Sequence, residues 1–403
     1  MRILYLCHRI PYPPNKGDKI RAFHQLQALS ERHEVDVFTL ADEQADLNHQ
    51  AAFEKHCHHL KVAQLHPKLA RLRALPFLLT YRPLTLPYFY SPELDREVRH
   101  AMSRRSYDRI FVYCSAMAQY VERMHGIARI TDLVDVDSDK WLQYAQRTPF
   151  PFSAVYRREG LALRRYERQV CERSACVLVS TEREAELVRA IGGGNRVQVV
   201  PNGVDTAYFN PRAVPPSSTE PAVIFTGDMS YFPNVDAVIY FAERVFPLVR
   251  KSVKTARFLI VGRNPSRKVQ RLAGDGVVVT GFVPDVRTWL AQARVAVAPF
   301  TIAAGIQNKI LEAMAYGLPV VTTSRTLQGL LPAVAALVQA GNTPEEMASQ
   351  VIELLQDSRL ASRRGAQGRD RVLEHYRWDT ALARLLELVE NPGCPSARIS
   401  ELA

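Results

Sequence analysis

Short runs rich in Val, Ile, Leu and Phe alternate with helical stretches along this chain, and they do so in two successive series. The first series is Arg2–Cys7, Glu34–Leu40, Arg109–Cys114, Ile130–Val134, Cys176–Ser180 and Val197–Val200. The second is Ala222–Phe225, Arg257–Val261, Val277–Thr280, Val295–Ala298 and Pro319–Thr322. After the first run, Arg21–Ser30 sets Phe23, Leu26 and Leu29 on one face of a helix. Such alternation builds parallel, doubly wound sheets. Between the series, residues 210–221 read Asn-Pro-Arg-Ala-Val-Pro-Pro-Ser-Ser-Thr-Glu-Pro, which is linker chemistry. The expected fold class is α/β, with two Rossmann-like doubly wound parallel-sheet domains and an interdomain cleft. Ligands of such sheets sit at the carboxyl ends of the strands, so that cleft is the expected site. The expected domains are 1–205, 206–378, and a C-terminal helix and tail over 379–403. In the tail, Leu382, Leu385, Leu386 and Leu388 keep a helical spacing, and this helix is expected to pack back toward the first domain.

At 403 residues, 47% hydrophobic and 23% charged, the chain suits two globular cores. The first residues run directly from Met1-Arg2 into a strand, so no signal peptide is expected. No apolar run is long enough for a membrane span. The cysteines Cys7, Cys57, Cys114, Cys171, Cys176 and Cys394 form no Cys-x-x-Cys pair, which argues against a structural zinc and for a reducing cytoplasm. The net charge of +11 is spread evenly: 30 Lys/Arg against 24 Asp/Glu up to residue 205, and 22 against 17 beyond it. A nucleic-acid footprint is more lopsided, so no nucleic-acid partner is expected. Anionic substrates or an anionic membrane surface explain the charge. The stretch Ala74–Tyr90 is aromatic and aliphatic and follows Lys61, Lys68, Arg71 and Arg73. It reads either as a membrane-contact segment or as a loop packed on the first domain. His56, His58, His59 and His66 lack carboxylate spacing and read as a solvated helix face, with no metal site expected.

Residues 296–321 carry the densest chemistry. A strand ends at Pro299, a loop holds Gly305, a helix starts near Asn308, and a strand follows Pro319. Free amides and the positive dipole end at a helix start hold anions. The amides of Gly305, Ile306, Gln307 and Asn308 are therefore donor-binding candidates. Lys309 and Glu312 lie one turn apart and face one site together. A cation for phosphate beside a carboxylate for hydroxyls suggests a nucleotide-sugar site, although each also reads as a solvated helix residue.

The segment Gly305-Ile-Gln-Asn-Lys-Ile-Leu-Glu-Ala-Met-Ala-Tyr-Gly-Leu-Pro-Val-Val321 resembles the signature of family 4 glycosyltransferases, which have the GT-B fold. Four more pieces follow the family order: Val200–Asp205, Phe225–Asp236, Ile260–Arg263 and Gly281–Val286. The resemblance covers residues 1–390. The opening His8–Arg21, with Val134–Trp141, narrows it to the sugar transferases of PEP-CTERM/exosortase exopolysaccharide loci. The resemblance implies a nucleoside diphosphate sugar as donor, no required cofactor, and retention of anomeric configuration. It also implies a saccharide or lipid-linked acceptor. A cytoplasmic protein with peripheral contact at the inner face of the membrane fits this setting. Family members carry two glutamates eight positions apart; here Ala304 stands at the first and Glu312 at the second. The second contacts the nucleotide ribose in the family.

Candidates on the first domain are Gly17, Asp18, Lys19 and Arg21, on the loop after the first strand, where Rossmann-like folds hold phosphates or sugars. Gly17 gives backbone freedom, Asp18 caps the helix, and Lys19 and Arg21 supply charge. Asp135 and Asp137 are expected to line the acceptor site, with helix capping as the alternative. With Asp139 they alternate like a calcium loop, but the Gly and Glu of that pattern are missing. On the second domain, Arg263 ends a strand and is expected to reach the diphosphate. Gly227, Asp228, Phe282 and Val283 complete the donor side, with Tyr231 and Asn234 in the loop after Gly227. Asn202-Gly203 reads as a structural turn. Lys309, Glu312, Arg263, Asp135 and Asp137 are the expected catalytic set. Two rival readings are a nucleotide-sugar epimerase on the same fold and a non-catalytic nucleotide-binding or membrane-associated protein. A dehydrogenase is disfavoured, since no Gly-x-Gly-x-x-Gly follows the first strand.

Overall fold

Strand β1 (Arg2–Cys7) buries every side chain after Arg2, as a strand covered on both faces must. The computed structural model describes residues 1–215, 220–301 and 305–392; Ala304 and Cys394 lie outside the described residues. The chain forms two compact units, Met1–Pro201 with the stretch from Ala381 onward, and Asn202–Thr380.

The first unit holds β1, β2 (Glu34–Ala41), β3 (His59–Gln64), β4 (Arg109–Tyr113), β5 (Ala128–Asp132), β6 (Cys176–Val179) and β7 (Val197–Val199). They pair in the order β3-β2-β1-β4-β5-β6-β7, in parallel throughout. The second unit holds β8 (Ala222–Thr226), β9 (Arg257–Val261), β10 (Val277–Val279), β11 (Val295–Ala298), β12 (Val320–Thr322) and β13 (Gln339–Ala340). Their order is β10-β9-β8-β11-β12-β13, again all parallel. The alternating pattern of the sequence thus becomes two doubly wound sheets. The edge strands β3 and β13 are absent from the sequence expectation. In β3 only Leu60 and Ala63 are buried, so its apolar signal is thin, and the histidine stretch read as a helix face in fact leads into this strand. Strand β13 spans two residues.

The helices that matter here are α1 (Gly17–Ser30), α2 (Pro67–Ala74), α3 (Asp137–Arg147), α4 (Phe152–Glu172), α5 (Phe232–Tyr240), α6 (Asn308–Ala315) and α7 (Trp378–Glu390). Leu385, Leu386, Leu388 and Val389 of α7 join Ile3, Tyr5, Leu26 and Val35 in one core of the first unit. The end of α7 leaves backbone carbonyls without helical partners. Arg109 supplies them, donating from Nε to the Val389 carbonyl at 3.0 Å and from Nη2 to the Glu390 carbonyl at 3.1 Å. The second unit closes over its own core, from Val223 and Phe225 through Phe258 and Val297 to Leu354.

Candidate functional site

Each sheet reverses its winding at one point, between β1 and β4 in the first and between β8 and β11 in the second. Loops leaving the carboxyl ends of the strands at such a point diverge and open a crevice. Gly17–Arg21 follow β1, Gly227 and Asp228 follow β8, and Gly305–Lys309 follow β11, whereas Asp135 and Asp137 follow β5, Arg263 follows β9, and Phe282 and Val283 follow β10.

In the second unit, Gly227 follows β8 and Gly262 follows β9. A Cβ on Gly262 would stand 1.6 Å from the Gly227 carbonyl oxygen, so only glycine lets the two loops meet. They are stitched by the Gly227 amide donating to the Val261 carbonyl at 3.0 Å and the Met229 amide donating to the Arg263 carbonyl at 2.9 Å. A Cβ on Gly227 would lie 2.8 Å from Asn234 Nδ2 and 3.2 Å from Lys309 Nζ. The bare backbone at 227 therefore leaves room for the lysine head.

Lys309 sits in the first turn of α6. Its Nζ donates to Asn234 Oδ1 at 2.6 Å. It also stands 4.7 Å from the Phe225 ring centroid and 4.6 Å from that of Phe300, a cation held between aromatic faces. Burial pushes the Lys309 ammonium down to about 7, while the charge of Glu312 opposes that shift. Burial likewise pushes the Glu312 carboxyl up to about 7 against the pull of Lys309. Both groups are poised near neutrality, as functional groups often are.

Asn234, at the start of α5, links this lysine to the β8 loop: its Nδ2 donates to the Asp228 carbonyl at 2.8 Å. The Asp228 carboxylate accepts from Ser230 at 2.9 and 2.6 Å and from Arg263 Nε at 2.9 Å. Burial alone would raise this carboxyl, but the Ser230 and Arg263 hydrogen bonds outweigh it and hold it low. Arg263 keeps one buried nitrogen, Nη2, with no hydrogen-bond partner among the described residues. An unsatisfied guanidinium nitrogen is a donor awaiting an acceptor. Lys309, Asn234, Asp228 and Arg263 thus form one continuous polar chain.

Gly305, with φ of +59°, packs its carbonyl against Gly329, where a Cβ would come within 2.5 Å. Ile306 is buried, and Gln307 takes the N-cap position of α6 without a side-chain cap bond. Asn308 accepts from Asn202 Nδ2 at 2.9 Å, which ties the start of α6 to the 202–205 segment. Gly203 there meets the Trp378 side chain closely enough to exclude a Cβ. Phe282 lies exposed on the loop after β10, and Val283 packs against the core; neither joins the Lys309 chain.

In the first unit, the α1 loop differs from expectation. The N-cap of α1 is Lys16, with Gly17 opening the helix, so Asp18 is not the capping residue. Asp18 instead meets Arg9 Nη1 at 3.0 Å and His8 Nε2 at 3.4 Å. Burial would raise its carboxyl, but His8 and Arg9 together hold it well below the usual carboxylate range. Lys19 and Arg21, expected to present charge to a ligand, point inward instead. Lys19 Nζ bonds both oxygens of Asp46 at 2.7 Å. Arg21 pairs with Asp132 from Nε at 2.9 Å and donates from Nη1 to the Val200 carbonyl at 2.9 Å. Gln25 adds a bond to the same Asp132 oxygen at 2.6 Å.

That buried pair supports a strained edge. The other oxygen of Asp132 accepts from the Val134 amide at 2.9 Å, and Val134 has φ of +67°. Cys114, at the end of neighbouring β4, has φ of +76°. A β-branched residue rarely takes such a value, and strain of this kind costs on the order of 1–3 kcal/mol and gathers at functional sites. Just beyond lie Asp135 and Asp137, 3.7 and 3.9 Å from Lys140 Nζ. Burial pushes the Asp137 carboxyl up, Lys140 opposes it, and Asp135 adds to it. Asp137 comes within 4.0 Å of the Cys114 sulfur. Asp139 turns away to Gln143 and Arg183.

The sequence expectation does not include His8 and Arg9 among the site residues. His8 stacks on Tyr113 at 5.9 Å and meets Phe89 edge-on at 5.6 Å. Its buried Nδ1 has no partner among the described residues. Their signal is position: both residues stand immediately after β1, beside the switch point.

Residues 19–203 match the family model described as a glycosyl transferase 4-like domain, and residues 220–357 match that described as glycosyl transferases group 1. A curated relative is the GDP-mannose-dependent alpha-(1-6)-phosphatidylinositol monomannoside mannosyltransferase of Mycobacterium tuberculosis, 28% identical over 238 residues. That match covers 52% of this chain and spans 60% of the relative's length. Among solved structures, sucrose-phosphate synthase from Thermosynechococcus elongatus superposes with a TM-score of 0.71 at 17% identity, covering 97% of this chain and 98% of that one. Anabaena HepE in complex with UDP-glucose gives a TM-score of 0.65 at 16% identity, covering 97% and 99%. At these identities the likeness is one of fold.

Proposed function

This chain belongs to the glycosyltransferases, with a 4-like domain followed by a group 1 domain on a GT-B fold of two Rossmann-like units, and we propose that it moves a sugar from a nucleoside diphosphate sugar to a saccharide or lipid-linked acceptor. In this reading the second unit holds the donor. The diphosphate takes the Lys309 ammonium, the free Arg263 Nη2, and the amides at the start of α6. Glu312 accepts hydrogen bonds from the ribose, as the resemblance implies. Gly227, Asp228, Phe282 and Val283 belong to the donor side.

Transfer breaks the bond between C1 of the sugar and the diphosphate oxygen, and the electron pair leaves with the diphosphate. The acceptor oxygen bonds to C1, and its hydroxyl proton passes to an acceptor-side carboxylate. Negative charge builds on the leaving group, so donors fixed in advance at that place lower the barrier. The cations and amides of this chain offset that charge. An arriving diphosphate would also draw Lys309 back to its charged form. Asp135 and Asp137 of the first unit are the acceptor-side carboxylates. Burial raises the Asp137 carboxyl, and a carboxylate beside the acceptor hydroxyl is the group to take up its proton. Retention of configuration and a role in exopolysaccharide synthesis rest on the resemblance of the opening and signature segments. Peripheral contact with a membrane belongs to the same reading.

The observation that carries this proposal is the continuous polar chain from Lys309 to Arg263, ending on an unsatisfied buried donor. UDP bound to HepE and the GDP-mannose dependence of the mycobacterial relative support a nucleoside diphosphate while leaving the base open. Thermal unfolding with UDP, GDP, UDP-glucose and GDP-mannose tests it, since a ligand that binds the folded form raises the transition. One of the four is expected to stabilise the protein and to be turned over with acceptor. If none shifts the transition and none is hydrolysed or transferred, the proposal fails. Sugar inversion without acceptor would favour the epimerase reading.

A further inference from the structure

Helix α2 is built inside out. It buries only Ala70 and Ala74, while Leu69, Leu72 and Leu75 beside them face solvent. Helical positions advance by about 100° per residue, which places Leu72 opposite the two alanines. Leu69 and Leu75 lie about 60° to either side of it; Lys68 falls within this leucine face, and Arg71 borders it beside Leu75. Leu72 keeps 62% of its surface in water.

The chain just after α2 extends the same display. Leu79 is 95% exposed and Tyr81 85% exposed, yet their loop is not loose. Arg158 of α4 donates from Nη2 to the carbonyls of Phe77 and Arg82, each at 2.6 Å, and to that of Thr80. Arg165 lies 5.6 Å from the Tyr81 ring, and Arg82 lies 5.6 Å from the Phe77 ring. Leu161, one turn from Arg158 and one from Arg165, is exposed as well. A solvent-facing apolar surface held in place in this way marks an interaction site.

Charge identifies it. Between Glu54 and Glu93 the sequence holds six Lys and Arg and no Asp or Glu. Leucines and a tyrosine bordered by cations, with no carboxylate in the segment, match the interface of an anionic bilayer. Among the described residues no helix is long and apolar enough to cross a membrane, so contact of this kind is interfacial. We propose that the outer face of α2 and the 75–82 loop form a docking surface for anionic lipid, with the leucines and Tyr81 entering the headgroup boundary and Lys68 and Arg71 meeting lipid phosphates. This rests on the membrane contact proposed above and gives it a location and a lipid chemistry. Contact here would hold the first unit, which carries the acceptor-side carboxylates, against the surface that presents a lipid-linked acceptor.

Cosedimentation with vesicles tests it, using phosphatidylcholine alone and an equal mixture with phosphatidylglycerol. The full chain is expected to bind the mixed vesicles, to bind phosphatidylcholine poorly, and to lose binding at high salt. Leu72→Asp with Leu79→Asp, and separately Lys68→Glu with Arg71→Glu, are each expected to weaken vesicle binding at least about tenfold. These exposed positions lie outside the donor machinery, so the thermal shift produced by the donor nucleotide should persist in both variants. That separates loss of this surface from failure of the functional reading. No binding by the wild type, or equal binding by the variants, overturns the proposal. So does self-association through this face, detected by sedimentation velocity and abolished by the leucine substitutions, without vesicle binding.

Discussion

Arg21 and Asp132 lie far apart in sequence, yet Arg21 Nε stands 2.9 Å from Asp132 Oδ2, with both side chains sealed from water. The pair joins α1 to the end of β5, and Asp132 in turn holds the Val134 amide at 2.9 Å. Removing one partner leaves a buried charge uncompensated. Arg21→Met is expected to destabilise the first unit by about 3–5 kcal/mol, measured by urea unfolding. Adding Asp132→Leu should recover part of that loss, because an apolar pair avoids the desolvation cost. If Arg21→Met leaves stability unchanged, the pair does not support the strained edge.

Lys309→Ala removes the cation assigned to the leaving diphosphate. The expected loss in kcat/KM is on the order of a hundred- to a thousandfold, by comparison with other preorganised donors. Asn234→Ala keeps the cation but frees its position, so a smaller loss of about tenfold is expected. Steady-state kinetics with the donor found by thermal shift decides this. Equal activity of Lys309→Ala and wild type would remove Lys309 from the mechanism.

The pH dependence of the ligand-free protein has a defined sign. Lys309 titrates near 7 when folded, below its ordinary value of 10.5, so the unfolded chain binds more protons between the two and stability rises with pH across that window. Glu312 titrates near 7 when folded, above its ordinary 4.5, so the folded chain binds more protons there and stability falls as pH climbs from 4.5 toward 7. Lys309→Met should flatten the alkaline slope, and Glu312→Gln the acidic one, in chemical denaturation repeated across pH. Donor binding above pH 7 should also take up a proton, visible by calorimetry in buffers of different ionisation enthalpy.

Gly262→Ala introduces a Cβ 1.6 Å from a backbone oxygen that has no freedom to yield. The β8 and β9 loops must separate. The expected result is a destabilisation of at least about 2 kcal/mol and loss of the nucleotide-induced thermal shift. An unchanged shift would show that the loop contact is dispensable.

Leu385 is fully buried where α7 meets the core of the first unit. Leu385→Ala is expected to cost about 2–5 kcal/mol in urea unfolding. A loss well under 1 kcal/mol would mean that α7 contributes little to that core.

Much of this fold was legible because parallel strands covered on both faces read as unbroken apolar runs, as in Ile3–Cys7 and Val295–Ala298. Strand β3 escaped because an edge strand needs only Leu60 and Ala63 inside. The place of Lys309 was readable from order along the chain: a strand end, a glycine, and a helix start bearing the lysine. The roles of Lys19 and Arg21 were not. A cation in a loop motif looks the same whether it meets a ligand or a partner such as Asp46 or Asp132 that only folding brings near. His8 was passed over because a single histidine carries no spacing; its place beside the switch point becomes visible only with the strand order.

Asn234 joins two elements at once. A single amide side chain holds the Lys309 ammonium with its oxygen and the Asp228 backbone with its nitrogen. Any displacement of the 227–234 segment must therefore drag the positive head along with it. Such coupling behaves like a latch, so the Lys309 ammonium and the turn that frames it would engage together and release together.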